Sequence, residues 1–262
     1  MEKFFKDVFL QESAIYTLWG TKPVTKIDIH YHLPTDPEVI AFYAEMSEED
    51  KKNAIIFDHY DLPQNWEKWE KIRERFPIRQ FLFFKQADLE DPKFASIYFV
   101  NIKHTISTLQ DNYQLFQQET GCNFNPSKEV FEMEKRTSFW NKVFDNPVLV
   151  GILYGYGKEN SFQFRRKYQV ELSSLLEGCP SNEIAIDGLS PSYFSLPIFT
   201  SFAGGKDEVI EKFKEEREEI QKAYQGLNFL EVTLSKLMNV SQNSKFGSKE
   251  PKNRQKPNPL TV

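Results

Sequence analysis

The chain has 262 residues, of which 40% are hydrophobic and 27% charged, a composition typical of a folded globular protein. Its net charge of −5 at pH 7 argues against a general nucleic-acid-binding protein, which would need a basic surface. The 24 phenylalanines are unusual. Because one aromatic ring can bury roughly 150–250 Å², they predict a core built on Phe rather than on Val and Ile. A genome rich in A and T would produce the same bias.

The cysteines and the apolar runs indicate a reduced, soluble, cytoplasmic protein. Cys122 and Cys179 form no C-x-x-C pair, are too few for a disulfide framework and are predicted to be inert thiols. The N-terminal MEKFFKDVFL lacks the continuous apolar stretch of a signal peptide. No run reaches the roughly 18 apolar residues of a membrane-spanning helix. Export by a route without a readable signal is left open, and no cofactor is predicted.

The first predicted elements are a helix and a strand. Apolar residues at helical spacing predict a helix over 2–18, ended by Gly20. Strict alternation then predicts a half-buried strand over 24–33. One face of this strand carries Ile27, Ile29, Tyr31 and Leu33, and the other carries Lys26, Asp28, His30 and His32.

The remaining pattern is mainly helical. An antiparallel strand pair is predicted at 81–84 and 97–100, and a loop at 177–205. Helices are predicted over 64–75, 102–120 before Gly121, 126–144, 148–176, 207–224 and 228–238. The sequence therefore predicts a single α+β domain over 1–238, predominantly helical with a small antiparallel sheet.

An H-x-H motif in the predicted strand is a candidate metal site. Strand geometry places His30 and His32 on one side, roughly 6–7 Å apart, where both could ligate one divalent metal. The motif resembles the first-strand H-x-H of metal-dependent amidohydrolases, which need further histidines and an aspartate from later barrel strands. The βα repetition of such a barrel is absent, which favours two solvent-facing histidines on a strand face instead. The remaining candidate ligands are Asp28, His59, Asp58 and Asp61.

Three glycines mark the longest apolar run, VLVGILYGYGKEN. A phosphate-binding P-loop would need a glycine at position 152 and Ser or Thr after Gly157-Lys158, but these positions hold Ile152 and Glu159. We therefore interpret the glycines structurally. Gly151 and Gly155, four residues apart, would let a helix pack closely against its neighbour, and Gly157 would break the helix.

The C-terminal residues 239–262 predict a disordered basic tail. This segment is rich in Asn, Ser, Lys and Pro and has too few large apolar residues to offset the entropy lost on ordering. It is either a solubilising end or a tether to an anionic membrane surface. Its basic residues, against Glu250 alone, are Lys245, Lys249, Lys252, Arg254 and Lys256.

Three blocks of the sequence carry a family resemblance. They are LWGTKPVT (18–25), VLVGILYGYGKENSFQF (148–164) and FLEVTLSKL (229–237). Together they resemble uncharacterised conserved proteins of Chlamydia-related bacteria, although Trp19 and Ser161 stand where that pattern has Phe and Ala. The resemblance implies no established activity. It implies an intracellular-bacterial origin and a role at the host interface.

No motif in the chain carries a complete catalytic mechanism, so the sequence favours a soluble, non-enzymatic interaction protein with an unknown protein partner. The alternative is a metal-dependent hydrolase that uses the H-x-H motif. Nucleic acid is not an expected partner, because the chain is acidic.

Overall fold

A computed structural model describes residues 1–11, 13–30, 62–88, 94–168 and 207–239, together with 37, 41, 44, 45, 47, 91, 194–197, 199 and 201. These residues form mostly helices around one three-stranded antiparallel sheet, which confirms the predicted α+β class. Among them, no helix is both long enough and apolar enough to cross a membrane. The predicted tail lies outside the described residues except for Asn239, which ends the last helix.

The strands are β1 (Val24–His30), β2 (Phe81–Ala87) and β3 (Phe94–Asn101). The helices, in chain order, are α1 (Glu2–Lys6), α2 (Ile15–Trp19), α3 (Leu62–Glu70), α4 (Ile102–Asp111), α5 (Tyr113–Thr120), α6 (Pro126–Glu132), α7 (Ser138–Phe144), α8 (Pro147–Leu153), α9 (Lys158–Tyr168), α10 (Glu208–Tyr224) and α11 (Phe229–Met238). A π-turn at Asp7–Gln11 and 3₁₀ turns at Arg73–Arg75 and Met133–Lys135 complete the described elements.

Strand β3 lies in the middle of the sheet and pairs antiparallel with both neighbours. The predicted pairing of β2 with β3 is therefore confirmed, with Phe83 opposite Phe99. Because side chains alternate along a strand, each strand faces both sides of the sheet. Helices cover both sides, so the sheet separates two apolar cores.

The first core is built mainly on aromatic rings, as the Phe content predicts. Phe9 meets Phe99 edge to face at 5.0 Å, and Trp66 meets Phe83 in the same way at 5.0 Å. Such edge-to-face pairs stabilise by about 0.5–1.5 kcal/mol beyond the area that they bury. The second core lies under α4 to α8 and is centred on Trp140, which is fully buried.

Several predicted helices are shorter than their apolar patterns. The helix predicted over 102–120 divides into α4 and α5 at Asn112, and Gly121 ends α5 with a φ of 65°. The helix predicted over 126–144 divides at Arg136, whose φ is 48°. Thr137 then starts α7 by accepting a hydrogen bond from the Trp140 backbone N–H. A capping side chain thus restarts a helix where the apolar pattern alone runs on.

The N-terminal prediction fails in a similar way. Residues 2–18 form α1, the π-turn and α2 rather than one helix, because Ser13 takes a φ of 56°. The end at Gly20 is correct, since its N–H donates to the Tyr16 carbonyl. In β1, Ile27 and Ile29 are buried and Asp28 is exposed, as alternation predicts.

Candidate functional site

The predicted metal site is only partly within the described residues. Asp28 and His30 lie on β1, and His30 stands opposite Phe94 in the register. The Asp28 carboxylate accepts a hydrogen bond from Ser96 at 2.8 Å and pairs with Lys26 at 2.8 Å. The other candidates, His32, Asp58, His59 and Asp61, lie outside the described residues. Within the described part of the chain, no three metal-ligating side chains cluster, and the metal site stays a prediction.

The remaining predicted site residues are also incompletely placed. Lys245, Lys249, Lys252, Arg254 and Lys256 of the tail lie outside the described residues, as does Cys179. The half-buried Cys122 has its Sγ 3.5 Å from the Thr120 carbonyl and 3.7 Å from Lys142 Nζ. These contacts give Cys122 no histidine that could act as a base.

The glycine-rich segment forms a tight bend between two helices, which we call the glycine bend (Tyr154–Gly157). A Cβ on Gly151, in α8, would lie 2.5 Å from Ser161 Oγ, so the predicted close packing of this helix holds at Gly151. Gly155 and Gly157 have φ values of 80° and 82°, which side-chain-bearing residues rarely adopt. The break predicted at Gly157 is confirmed, since α8 ends at Leu153 and α9 begins at Lys158. Gly155 lies in the bend rather than in a helix, and residues 169–176 of the predicted helical stretch lie outside the described residues.

A pocket of about 310 Å³ lies beside the glycine bend. Its wall is largely aromatic, with Tyr154, Tyr156 and Phe164 among its residues. The polar side chains in the wall are held by the protein itself. Asn160 donates to the Tyr156 carbonyl and to Asp207, each at 3.0 Å, and Ser161 donates to the Gly157 carbonyl at 2.6 Å. This pocket therefore offers little to orient a polar ligand.

A larger cavity of about 730 Å³ has a different character, and we call it the basic cleft. It lies where the end of α2, the residues before β2, the β3–α4 junction and α11 meet. Its described lining contains no carboxylate. The charged or titratable side chains that line it are Arg79, Lys103, His104 and Lys236.

The β3–α4 junction holds two of these basic residues in fixed positions. Asn101 ends β3 and caps α4, because its side-chain oxygen accepts a hydrogen bond from the His104 backbone N–H at 3.1 Å. Its amide also donates to the Thr17 carbonyl at 3.2 Å. Lys103 and His104 consequently sit in the first helical turn, where the positive end of the helix dipole disfavours cations.

His104 lies near the positive charges of Lys103 and Lys212. Burial lowers the pKa of His104 below its ordinary value, and the charges of Lys103 and Lys212 lower it further. An imidazole in this environment is neutral near pH 7. A negative charge bound in the cleft would offset the charges of Lys103 and Lys212, so it would raise the pKa of His104 and favour the protonated ring.

Lys236 approaches the cleft from α11, with its Nζ 4.4 Å from the centre of the Trp19 ring. The Trp19 ring is itself anchored, because its Nε1 donates to the Tyr224 hydroxyl at 3.0 Å, which is 2.9 Å from the Thr233 hydroxyl. Burial lowers the pKa of Lys236. The lysine is thus partly desolvated and rests on an aromatic face rather than on a carboxylate.

The ion pairs of the described residues do not involve the four basic side chains of the cleft. The nearby Glu216 is held by Thr21, whose backbone N–H and hydroxyl both donate to Glu216 Oε1, at 3.0 Å and 2.6 Å. Among the residues that the structure describes, the lining of the cleft therefore carries cationic side chains without an ion-pair partner, in a chain whose net charge is −5.

Sequence reasoning did not find this cleft. Arg79, Lys103 and Lys236 are far apart in the chain and share no motif. The one available signal was Lys103-His104 directly after a predicted strand, because cations in the first turn of a helix contradict the usual preference.

The three blocks of the family resemblance come into contact through the first of them. Trp19 of the first block contacts Lys236 of the third block, and a Cβ on Gly155 of the second block would lie 3.2 Å from Pro23. Comparison of the chain with protein-family models, with curated proteins and with solved structures finds no match. The resemblance to proteins of Chlamydia-related bacteria therefore stays a prediction.

Proposed function

We propose that this chain is a soluble, non-enzymatic interaction protein that binds an anionic partner through the basic cleft. The observation that supports this proposal is the convergence of four basic side chains from separate segments around one cavity that contains no carboxylate among its described lining. In an acidic chain, such a cavity attracts anions locally while the rest of the surface repels them.

The energetic arrangement of the cleft agrees with a bound anion. Lys103 opposes the α4 dipole, and Lys236 is partly desolvated without a carboxylate partner among the described residues. A bound negative group would relieve the unfavourable position of Lys103 and compensate the partly desolvated charge of Lys236. One charge-assisted hydrogen bond contributes about 1.5–3 kcal/mol, so two or three of them give measurable affinity.

The cleft also lacks an evident catalytic pair. Ser107 is the hydroxyl group in its described lining, and its Oγ donates to Asp111 Oδ2 at 3.3 Å rather than to His104. A nucleophilic serine would need a base that can accept its proton and is itself oriented by a third group. These contacts favour binding over bond cleavage.

The test is binding of a polyglutamate peptide to the full-length protein at low salt, measured by calorimetry. Lys103→Glu reverses a charge in the cleft, and we expect it to weaken binding by about tenfold or more, which corresponds to about 1.4 kcal/mol. Lys128→Glu is the matched control, because Lys128 also lies in the first turn of a helix, α6, but does not line the cleft. Equal losses in both variants, or no binding of any anionic probe by the unaltered protein, would contradict the proposal.

The alternative function is a metal-dependent hydrolase centred on His30 and His32. The existing contacts of Asp28 with Ser96 and Lys26 do not favour it as a free ligand. Metal analysis of untagged protein, beside a His30→Ala, His32→Ala double variant, decides between the two functions. We expect no stoichiometric metal, whereas one equivalent of metal that is lost in the double variant would place the hydrolase first.

A further inference from the structure

We propose that the ligand of the basic cleft is a phosphomonoester group carried by a small organic molecule with an apolar ring. This inference rests on the proposed function, because it names the chemistry of the anion that the same cleft binds. It follows from the number of charges, their placement, and the size and lining of the cavity.

The number of charges favours a phosphomonoester over a single carboxylate. Arg79, Lys103 and Lys236 contribute three cationic side chains to the lining. A carboxylate offers one negative charge, whereas a phosphomonoester carries roughly −1.5 to −2 at pH 7 and presents three acceptor oxygens.

The placement of the charges favours a compact anion. Lys103 lies on the first turn of α4, a helix of ten residues whose positive dipole end adds to its charge, and the neutral His104 follows it in the chain. Arg79 and Lys236 reach the same cavity from two other segments. A compact multivalent group suits a cavity lined by cations from three segments better than an extended acidic peptide, which would spread its carboxylates along the surface.

The cavity itself has room for more than the phosphate. Its volume of about 730 Å³ lies within the range of roughly 300–1,000 Å³ typical of small-molecule sites. The wall also contains the apolar side chains of Leu18, Trp19 and Ile106. A ligand with a ring beside its phosphate would bury that ring against this wall, and burial of apolar surface would add to its affinity.

The experiment compares three probes of the full-length protein by calorimetry. Phenyl phosphate carries both the dianion and the ring, inorganic phosphate carries only the dianion, and benzoate carries the ring with one negative charge. We expect phenyl phosphate to bind about tenfold more tightly than either of the others. Arg79→Lys, which keeps the charge but loses the planar fork, should weaken phenyl phosphate severalfold.

The outcomes separate this inference from the proposed function. If phenyl phosphate binds no more tightly than benzoate, while polyglutamate still binds and is lost in Lys103→Glu, the phosphate inference is overturned and the proposed function stands. If polyglutamate binds in the cleft and phenyl phosphate does not displace it, the partner is an acidic polypeptide and the inference is again overturned. If neither polyglutamate nor phenyl phosphate binds the folded protein, both proposals fail. Circular dichroism and thermal unfolding confirm that each variant is folded, with Lys128→Glu as the control for surface charge.

Discussion

The glycine bend and the basic cleft differ in how far the sequence alone reveals them. The bend is easily recognised in the sequence, yet its glycines are required by backbone geometry. Gly155 and Gly157 have positive φ values, and a Cβ on Gly151 would lie close to Ser161. The cleft has no motif, yet it brings together basic side chains from distant segments. In this protein a recognisable local pattern reflects a requirement of the backbone, whereas the proposed binding site consists of residues that share no motif and that the fold brings together.

The largest expected effect concerns the stability of the glycine bend. Gly157→Ala forces a side chain into a left-handed conformation and places its Cβ 2.8 Å from Val209 Cγ2. We expect a loss of roughly 2–4 kcal/mol in the free energy of unfolding, from backbone strain and overpacking together. Gly226→Ala is the matched control, because Gly226 also has a positive φ but has no atom within 4 Å of the added Cβ. If denaturant unfolding gives equal losses of stability in both variants, the contact with Val209 does not contribute to the destabilisation.

A smaller effect of opposite sign is expected in the cleft. Lys103→Glu places a negative charge at the positive end of the α4 dipole, so the fold should become more stable by about 0.3–1 kcal/mol while anion binding weakens. Thermal unfolding and calorimetry on the same samples measure the two quantities. If the variant loses stability together with binding, Lys103 supports the structure of the protein, and the cleft does not differ from the glycine bend in this respect.

The smallest expected effect is a pH dependence that comes from His104. Because the pKa of His104 is lowered in the folded protein, the unfolded chain takes up the proton more readily as pH falls. The stability that depends on neutral His104 is therefore fully present above the ordinary histidine pKa and is lost as pH falls toward the lowered value. His104→Gln should remove this part of the acid sensitivity, as urea unfolding across the range would measure.

Anion binding should show the reverse dependence. Sulfate keeps its two negative charges across this pH range, so its affinity reports on the protein alone. Between about pH 7.5 and about pH 5.5 we expect sulfate to bind more tightly as His104 takes up a proton beside Lys103, Lys212, Arg79 and Lys236. An unchanged pH profile in His104→Gln would assign the effect to another group.

Much of the fold could be predicted from local patterns. The alternation of apolar and polar residues correctly assigned Ile27 and Ile29 to the buried face of β1. The apolar runs at 81–84 and 97–100 identified the pairing of β2 with β3. Helix boundaries were less predictable, because Asn112 and Arg136 interrupt apolar patterns that continue past them. Apolar periodicity reports which face is buried, whereas a helix end depends on a few capping contacts and dihedral angles.

The acidic charge, the Phe-rich core and the α+β class follow from composition and from local patterns in the sequence. The positive φ values of the bend glycines appear only in the folded protein, as does the cleft that Arg79, Lys103, His104 and Lys236 share. The contacts of Lys236 with Trp19 and of Glu216 with Thr21 also depend on the fold. The physical reason is that charges act through space. Their mutual distances depend on how helices and strands pack, and no spacing along the chain encodes those distances.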